Sequence, residues 1–197
     1  MLPALSISDI NKYCNYEYKQ EKKIVGIMIA RYSLPKSQKM IKEQYDFWHF
    51  MTGKDLNVYW LGYGAYYFPG KAGQYLVGNY GNQPNVYFDT NIFTRGIKEL
   101  EQYKDIHDEI GILLCNYYDN KIHLDESVFF NLENLMKDSN SELRKFADYL
   151  ICLCKNEDDV SKITVKLKIK YEFLDIKPTK MIIEIIKTIV GVGSGLF

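Results

Sequence analysis

After its first residue, the run Lys23-Ile24-Val25-Gly26-Ile27-Met28-Ile29-Ala30 offers no polar position to turn toward water. A strand of that kind has to be covered on both faces, as in the middle of an α/β sheet. Ser33-Leu34-Pro35-Lys36-Ser37 breaks the run. From about Ser37, the residues Met40, Ile41, Tyr45, Trp48 and Met51 recur at helical spacing, and Thr52-Gly53 ends that helix. Residues 56–61 then read as a second strand. The three elements form a βαβ unit, whose strands are parallel with a right-handed crossover if they share a sheet.

Further on, Asp89, Thr90 or Asn91 can cap a helix carrying Phe93, Ile97, Leu100 and Tyr103 on one face. Residues 110–117 form another apolar strand, and Asp119-Asn120 turns it into a hairpin with residues 121–124. Two helices follow. One carries Val128, Phe129, Leu132, Leu135 and Met136. The other starts at the capping box Ser139-x-x-Glu142 and carries Leu143, Phe146, Ala147, Leu150 and Ile151. After the polar break at residues 156–159, Ile163, Val165, Leu167, Ile169, Tyr171 and Phe173 alternate with polar residues. Among those are Lys166, Lys168 and Lys170, so a half-buried strand with a lysine-lined outer face is expected. Asp175-Ile176-Lys177-Pro178 turns it, and Thr179 caps an apolar helix over residues 180–190.

The order β-α-β, α, β-hairpin, α over residues 23–154 resembles the thioredoxin fold, in which a βαβ half joins a ββα half around a mixed sheet. The resemblance is one of topology. A thioredoxin carries C-x-x-C just after its first strand, where this chain has Tyr32-Ser33-Leu34-Pro35-Lys36-Ser37. It carries a proline before its third strand, where this chain has His107-Asp108-Glu109. Thiol–disulfide chemistry is therefore argued against. The expected architecture is a mixed-sheet, three-layer α/β domain over residues 1–156, with an insertion at 62–88 and a C-terminal strand–helix appendage at 157–197.

That insertion lies in the oddest part of the composition. Residues 56–88 hold a single charge, Lys71, with ten aromatics and six of the thirteen glycines. Glycine turn signals divide possible strands at 65–68, 75–77 and 86–88. Tyrosine combines a large apolar area with a polar tip and few rotors, so it binds with little entropy loss. Tyr63, Tyr66, Tyr67, Tyr75 and Tyr80 are the candidate partner-binding residues. The chain as a whole is neutral, with 25 basic and 25 acidic residues, so no global field draws it to polyanions. Its lysine-, asparagine- and isoleucine-rich usage fits an AT-rich coding sequence. The four cysteines form no C-x-x-C and read as free thiols in a reducing compartment. The N-terminus has no basic region followed by an apolar core, and no run is long and apolar enough to span a bilayer. A cytoplasmic protein is expected.

Complete catalytic constellations are missing. Gly64 and Gly70 are separated by five residues where a phosphate loop needs four, and Ala72 replaces its hydroxyl. Gly62-Tyr63-Gly64 is followed by aromatics where a dinucleotide fingerprint needs its third glycine. Gly193-Ser194-Gly195 is no nucleophile elbow. His49, His107 and His123 have no second histidine at ligand spacing, so no metal and no cofactor are expected. The carboxylate pairs Glu99/Glu101 and Asp108/Glu109 read as solvated.

The leading expectation is a non-enzymatic, bacterial-type interaction or regulatory protein. It binds a protein partner through the Tyr/Gly surface and self-associates through residues 163–190. An alternative is a small-ligand sensor or degenerate enzyme. Its pocket is expected at the C-terminal strand ends, near Ser33, Ser37 and Trp60, where open α/β sheets bind ligands. The remaining alternative, single-strand nucleic-acid binding, has aromatics for stacking but lacks cations beside them, so nucleic acid is the weakest partner.

Overall fold

The computed structural model describes residues 4–50, 55–65, 73–78, 86–103, 105–106, 108–138 and 140–190. In chain order its elements are α1 (Ile7–Tyr18), β1 (Lys23–Ile29), α2 (Pro35–Phe50), β2 (Asn57–Trp60), β3 (Tyr63–Ala65), β4 (Gln74–Gly78) and β5 (Val86–Asp89). They continue with α3 (Thr90–Glu101), β6 (Gly111–Tyr118), β7 (Lys121–Asn131), α4 (Leu135–Asp138), α5 (Asn140–Asn156), α6 (Val160–Lys170), β8 (Ile176–Pro178) and α7 (Lys180–Val190).

The main sheet has the order β2-β1-β6-β7-β8. β1 and β2 are parallel, with Gly26 opposite Val58, as the βαβ pattern requires. The other pairings are antiparallel, so the sheet is mixed. All of β1 beyond Lys23 is buried. Both faces of this sheet are covered, as two neighbouring residues of β6 demonstrate. Successive side chains of a strand point to opposite faces. The Asn116 side-chain oxygen accepts from the Val160 N–H at the start of α6, at 3.0 Å. The Tyr117 hydroxyl is bonded instead to α1, at 3.0 Å from Asn15 Oδ1, and donates to the Lys19 carbonyl at 2.9 Å. Phe130, which faces the same side as Asn116, packs its ring on Phe146 of α5. Helices therefore form a layer on each side of the strands.

Three expectations change. Residues 163–170 are helical, not a strand. Asp159 caps α6, accepting from the Ser161 backbone at 2.8 Å. Burial alone would raise the Asp159 carboxyl, but the bonds from Ser161 and the Lys22 ammonium outweigh it and hold it below the usual range. Val160, Ile163, Thr164 and Leu167 are buried at helical spacing, whereas Ile169, which the alternation counted as interior, is 63% exposed. The lysine ladder dissolves with the strand. Lys166 bonds Glu157, Lys168 reaches the Glu172 carbonyl, and Lys170 lies over the Tyr149 ring.

Residues 128–131 belong to β7 rather than to a helix. Val128, Phe129 and Phe130 are fully buried opposite Leu114, Leu113 and Ile112. A central strand covered on both faces shows no alternation, which is why its sequence admits a helical spacing. Only α4 remains of that predicted helix, and the capping residue Ser139 lies outside the described residues. Finally, residues 176–178 are not merely a turn but β8, which pairs with Phe130, Phe129 and Val128. Among the described residues it is the outer strand on this side, where Pro178 removes no ladder bond from a further neighbour.

The side chains of Val160, Ile163, Leu167, Tyr171, Leu174, Ile182 and Ile186 join the same buried cluster as β1 and β6. Residues 157–190 thus help to form the core. Among the described residues, no helix is long and apolar enough to cross a membrane. Cys14 and Cys115 are buried, whereas Cys152 is exposed.

Candidate functional site

The neutral segment forms a second sheet of order β3-β5-β4. It is tied to the C-terminal ends of the main parallel strands. The Leu61 N–H donates to the Met28 carbonyl at 3.1 Å, Gly62 N–H to Leu5 at 2.9 Å, and Asp89 N–H to Gly62 at 2.8 Å. Gly62 makes this junction possible. Its φ is +79°, and a Cβ there would lie 2.7 Å from Phe93 Cβ.

The partner-binding tyrosines do not share one fate. Tyr63 is a core residue, since it is buried and its hydroxyl donates to the Ala30 carbonyl at 2.6 Å. It therefore drops out of the expected contact surface: its ring fills the junction between the two sheets and its polar tip is already used. Tyr75 is on the surface, 48% exposed, beside Leu76 at 46%. Tyr66, Tyr67 and Tyr80 lie outside the described residues. Between the buried and exposed tyrosines runs a line of rings. Tyr45 contacts Trp60 (centroids 5.0 Å apart), Trp60 contacts Tyr63 (5.6 Å), and Tyr63 contacts Phe88 (4.9 Å). Phe88 then meets Tyr32 (6.3 Å) and Tyr32 meets Tyr75 (6.4 Å).

The expected ligand-pocket residues are placed at the same end of the main sheet. Ser33 is exposed, whereas Ser37 and Trp60 are buried. Among the described residues, the Ser37 hydroxyl and the Trp60 Nε1–H have no hydrogen-bond partner. Sequence reasoning missed Gln44, which is 1% exposed with both amide atoms unpartnered among the described residues. The signal was its spacing: seven residues from Ser37 is two helical turns, which puts Gln44 on the buried side of α2 with Ile41 and Trp48. Arg31, just after β1, contributes a buried Nε with no partner among the described residues; its NH1 pairs with Asp108 at 2.7 Å. Buried polar groups are nearly always hydrogen-bonded, so these mark a place where polar partners belong.

A different polar group gathers at the β6–β7 hairpin, where Cys115 pairs with Ser127 but Asn116 with His123, so β7 bulges. Tyr118 donates to Glu126 at 2.6 Å, and Asn116 donates to the other carboxylate oxygen at 2.9 Å. The Glu126 carboxylate pushes the Tyr118 phenol up to about 12. His123 stacks flat on the Tyr118 ring at 3.7 Å. A phenol held protonated this firmly serves structure rather than proton transfer near neutrality. Burial likewise pushes the Cys14 and Cys154 thiols up to about 12, far from nucleophilic character. His107 and the His49 side chain lie outside the described residues. No group of three or more His, Cys, Asp or Glu is placed to hold a metal among the described residues.

Comparison of the chain with protein-family models, curated proteins and solved structures gives no match.

Proposed function

We propose that this chain is a non-enzymatic interaction protein whose partner contact is built on β4. The carrying observation is the joint exposure of Tyr75 and Leu76. Consecutive strand residues point to opposite faces, so both sides of β4 leave apolar surface in water. Tyr75 is backed by Tyr32, Phe88 and Tyr63, which limits the entropy lost when a partner covers it. Self-association through residues 163–190 belongs to the same reading. In α7, Ile182 and Ile186 face inward, while Met181 and Ile189 stay about half exposed.

Tyr75→Ser combined with Leu76→Ser leaves the core untouched and is expected to weaken a captured partner's affinity by about tenfold or more. The measurement is affinity capture with the wild-type and doubly substituted proteins, followed by titration of what the wild type retains. Equal retention by both would refute the β4 contact. Sedimentation of the wild type against Met181→Glu/Ile189→Glu reads the self-association.

A second reading, a small polar ligand held beneath the second sheet, is supported by the unpartnered atoms of Ser37, Gln44 and Trp60. Replacing a buried, unsatisfied amide by an apolar group of similar size relieves its desolvation penalty. Gln44→Leu is therefore expected to stabilise the ligand-free protein by about 1–2 kcal/mol. Urea unfolding measures it. A loss of stability would mean that Gln44 holds a structural partner, and the ligand reading would lose its support.

A further inference from the structure

We infer that the groove between α5 and the end of α6 binds an alkylammonium group, and that in the free protein the chain's own Lys170 occupies it. The groove, about 580 Å³ and open to solvent, is lined by Glu142, Lys145, Asp148 and Tyr149 from one side and by Lys170, Tyr171 and Phe173 from the other. It lies on other elements than β4, so its failure leaves the Tyr75 contact standing.

Three rings form its walls at different angles. Tyr149 and Tyr171 are 6.4 Å apart at 56°, and Tyr171 meets Phe173 at 6.0 Å and 83°. Tyr171 is itself fixed from behind, edge-on to Phe146 at 5.6 Å. Phe173 remains 59% exposed, which is unusual for a phenylalanine with a core so close. Tyr149 and Tyr171 both lie within reach of a single ammonium group, the arrangement that attracts cations.

Lys170 reports that attraction. Its Nζ lies 3.6 Å from the centre of the Tyr149 ring and 5.8 Å from that of Tyr171. An exposed lysine can keep its ammonium in water, yet this one lies against the rings. The nearby Glu142 carboxylate is taken by Lys145 at 2.7 Å. Burial first, then the Glu142 charge, raises the Tyr171 phenol. Once Lys170 swings out, the lining holds two carboxylates, Glu142 and Asp148, against the one cation Lys145. Charge and shape then both favour an incoming alkylammonium.

The test is an NMR titration of the full chain, following the Tyr149 and Tyr171 ring resonances, with choline chloride and separately with Nα-acetyl-lysine amide. Sodium chloride at equal ionic strength is the reference. Saturable shifts with half-saturation on the order of millimolar are expected, since each ring contributes only modestly. Lys170→Ala removes the internal competitor and should tighten binding by about threefold or more. Saturation by choline alone identifies a free quaternary ammonium as the ligand class; saturation by the lysine amide as well identifies a peptide side chain. Tyr149→Leu should abolish the Tyr171 shift. If neither the wild type nor Lys170→Ala responds beyond the sodium chloride reference, the inference is overturned.

Discussion

A chain ending at Asn156 will not fold. Residues 157–190 place Val160, Ile163, Leu167, Tyr171, Leu174, Ile182 and Ile186 in the common core, each at most 6% exposed. Burying one such side chain contributes about 1.5–3 kcal/mol, so seven contribute about 10–20 kcal/mol. A domain's whole net stability is about 5–15 kcal/mol. Truncation would also remove β8 from β7 and leave the Asn116 side-chain oxygen without the Val160 N–H. On the same cut, Asp125 and Ser127 lose the hydroxyl and N–H of Thr179. Circular dichroism and thermal melting of residues 1–156 will show no cooperative transition. A fragment melting cooperatively within about 10 °C of the full chain would instead establish the boundary at 156/157 as a domain boundary.

The same segment shows where sequence and structure part company. Ile163 and Leu167 satisfy a period of two and a period of 3.6 equally well. The residues that decide are Val160, Ser161 and Thr164, buried by the helix but polar or off-pattern in a strand. The Asp159 cap pointed the same way. β1, α2 and β2 were legible because the first run has no polar residue after Lys23 to support another reading. α7 was legible because its apolar density exceeds what one strand face needs. The second half of β7, residues 128–131, was not, since a strand buried on both faces carries no period of its own.

At the candidate site the limits are chemical. Ser37 and Trp60 could be named because strand ends are where α/β sheets bind ligands, and both prove buried with unpartnered polar atoms. A glutamine in a helix ordinarily faces water, so Gln44 drew no notice. Tyrosine serves inside and outside alike. Tyr63 and Tyr75 occupy the same kind of glycine-punctuated strand, and nothing in either neighbourhood separated the core ring from the wet one. What separates them is that β3 is bonded to Leu5 on its far side, a contact from a distant part of the chain.

Gly111→Ala is expected to destabilise the protein by about 3 kcal/mol, the upper end for overpacking a tight core. Gly111 opens β6 opposite Asn131, and Phe129 folds its ring across the bare backbone, the aromatic cover that glycines in sheets receive. A Cβ would stand 2.6 Å from Phe129 Cε2 and closer still to the Phe130 carbonyl oxygen. The ring can turn, but the carbonyl belongs to the β7 backbone and cannot. Trimming the ring with Phe129→Leu will therefore not rescue the alanine. Gly96→Ala is the control. Its Cβ would also meet something at 2.7 Å, but that atom is the Leu61 side-chain Cδ1. The clash is opposed by alanine's helix propensity, worth about 1 kcal/mol over glycine in α3. Melting points should separate the two substitutions, with a fall of about 6–12 °C for Gly111→Ala and little change for Gly96→Ala. Equal shifts would mean that β7 yields at Phe130, and that the sheet centre is looser than its packing implies.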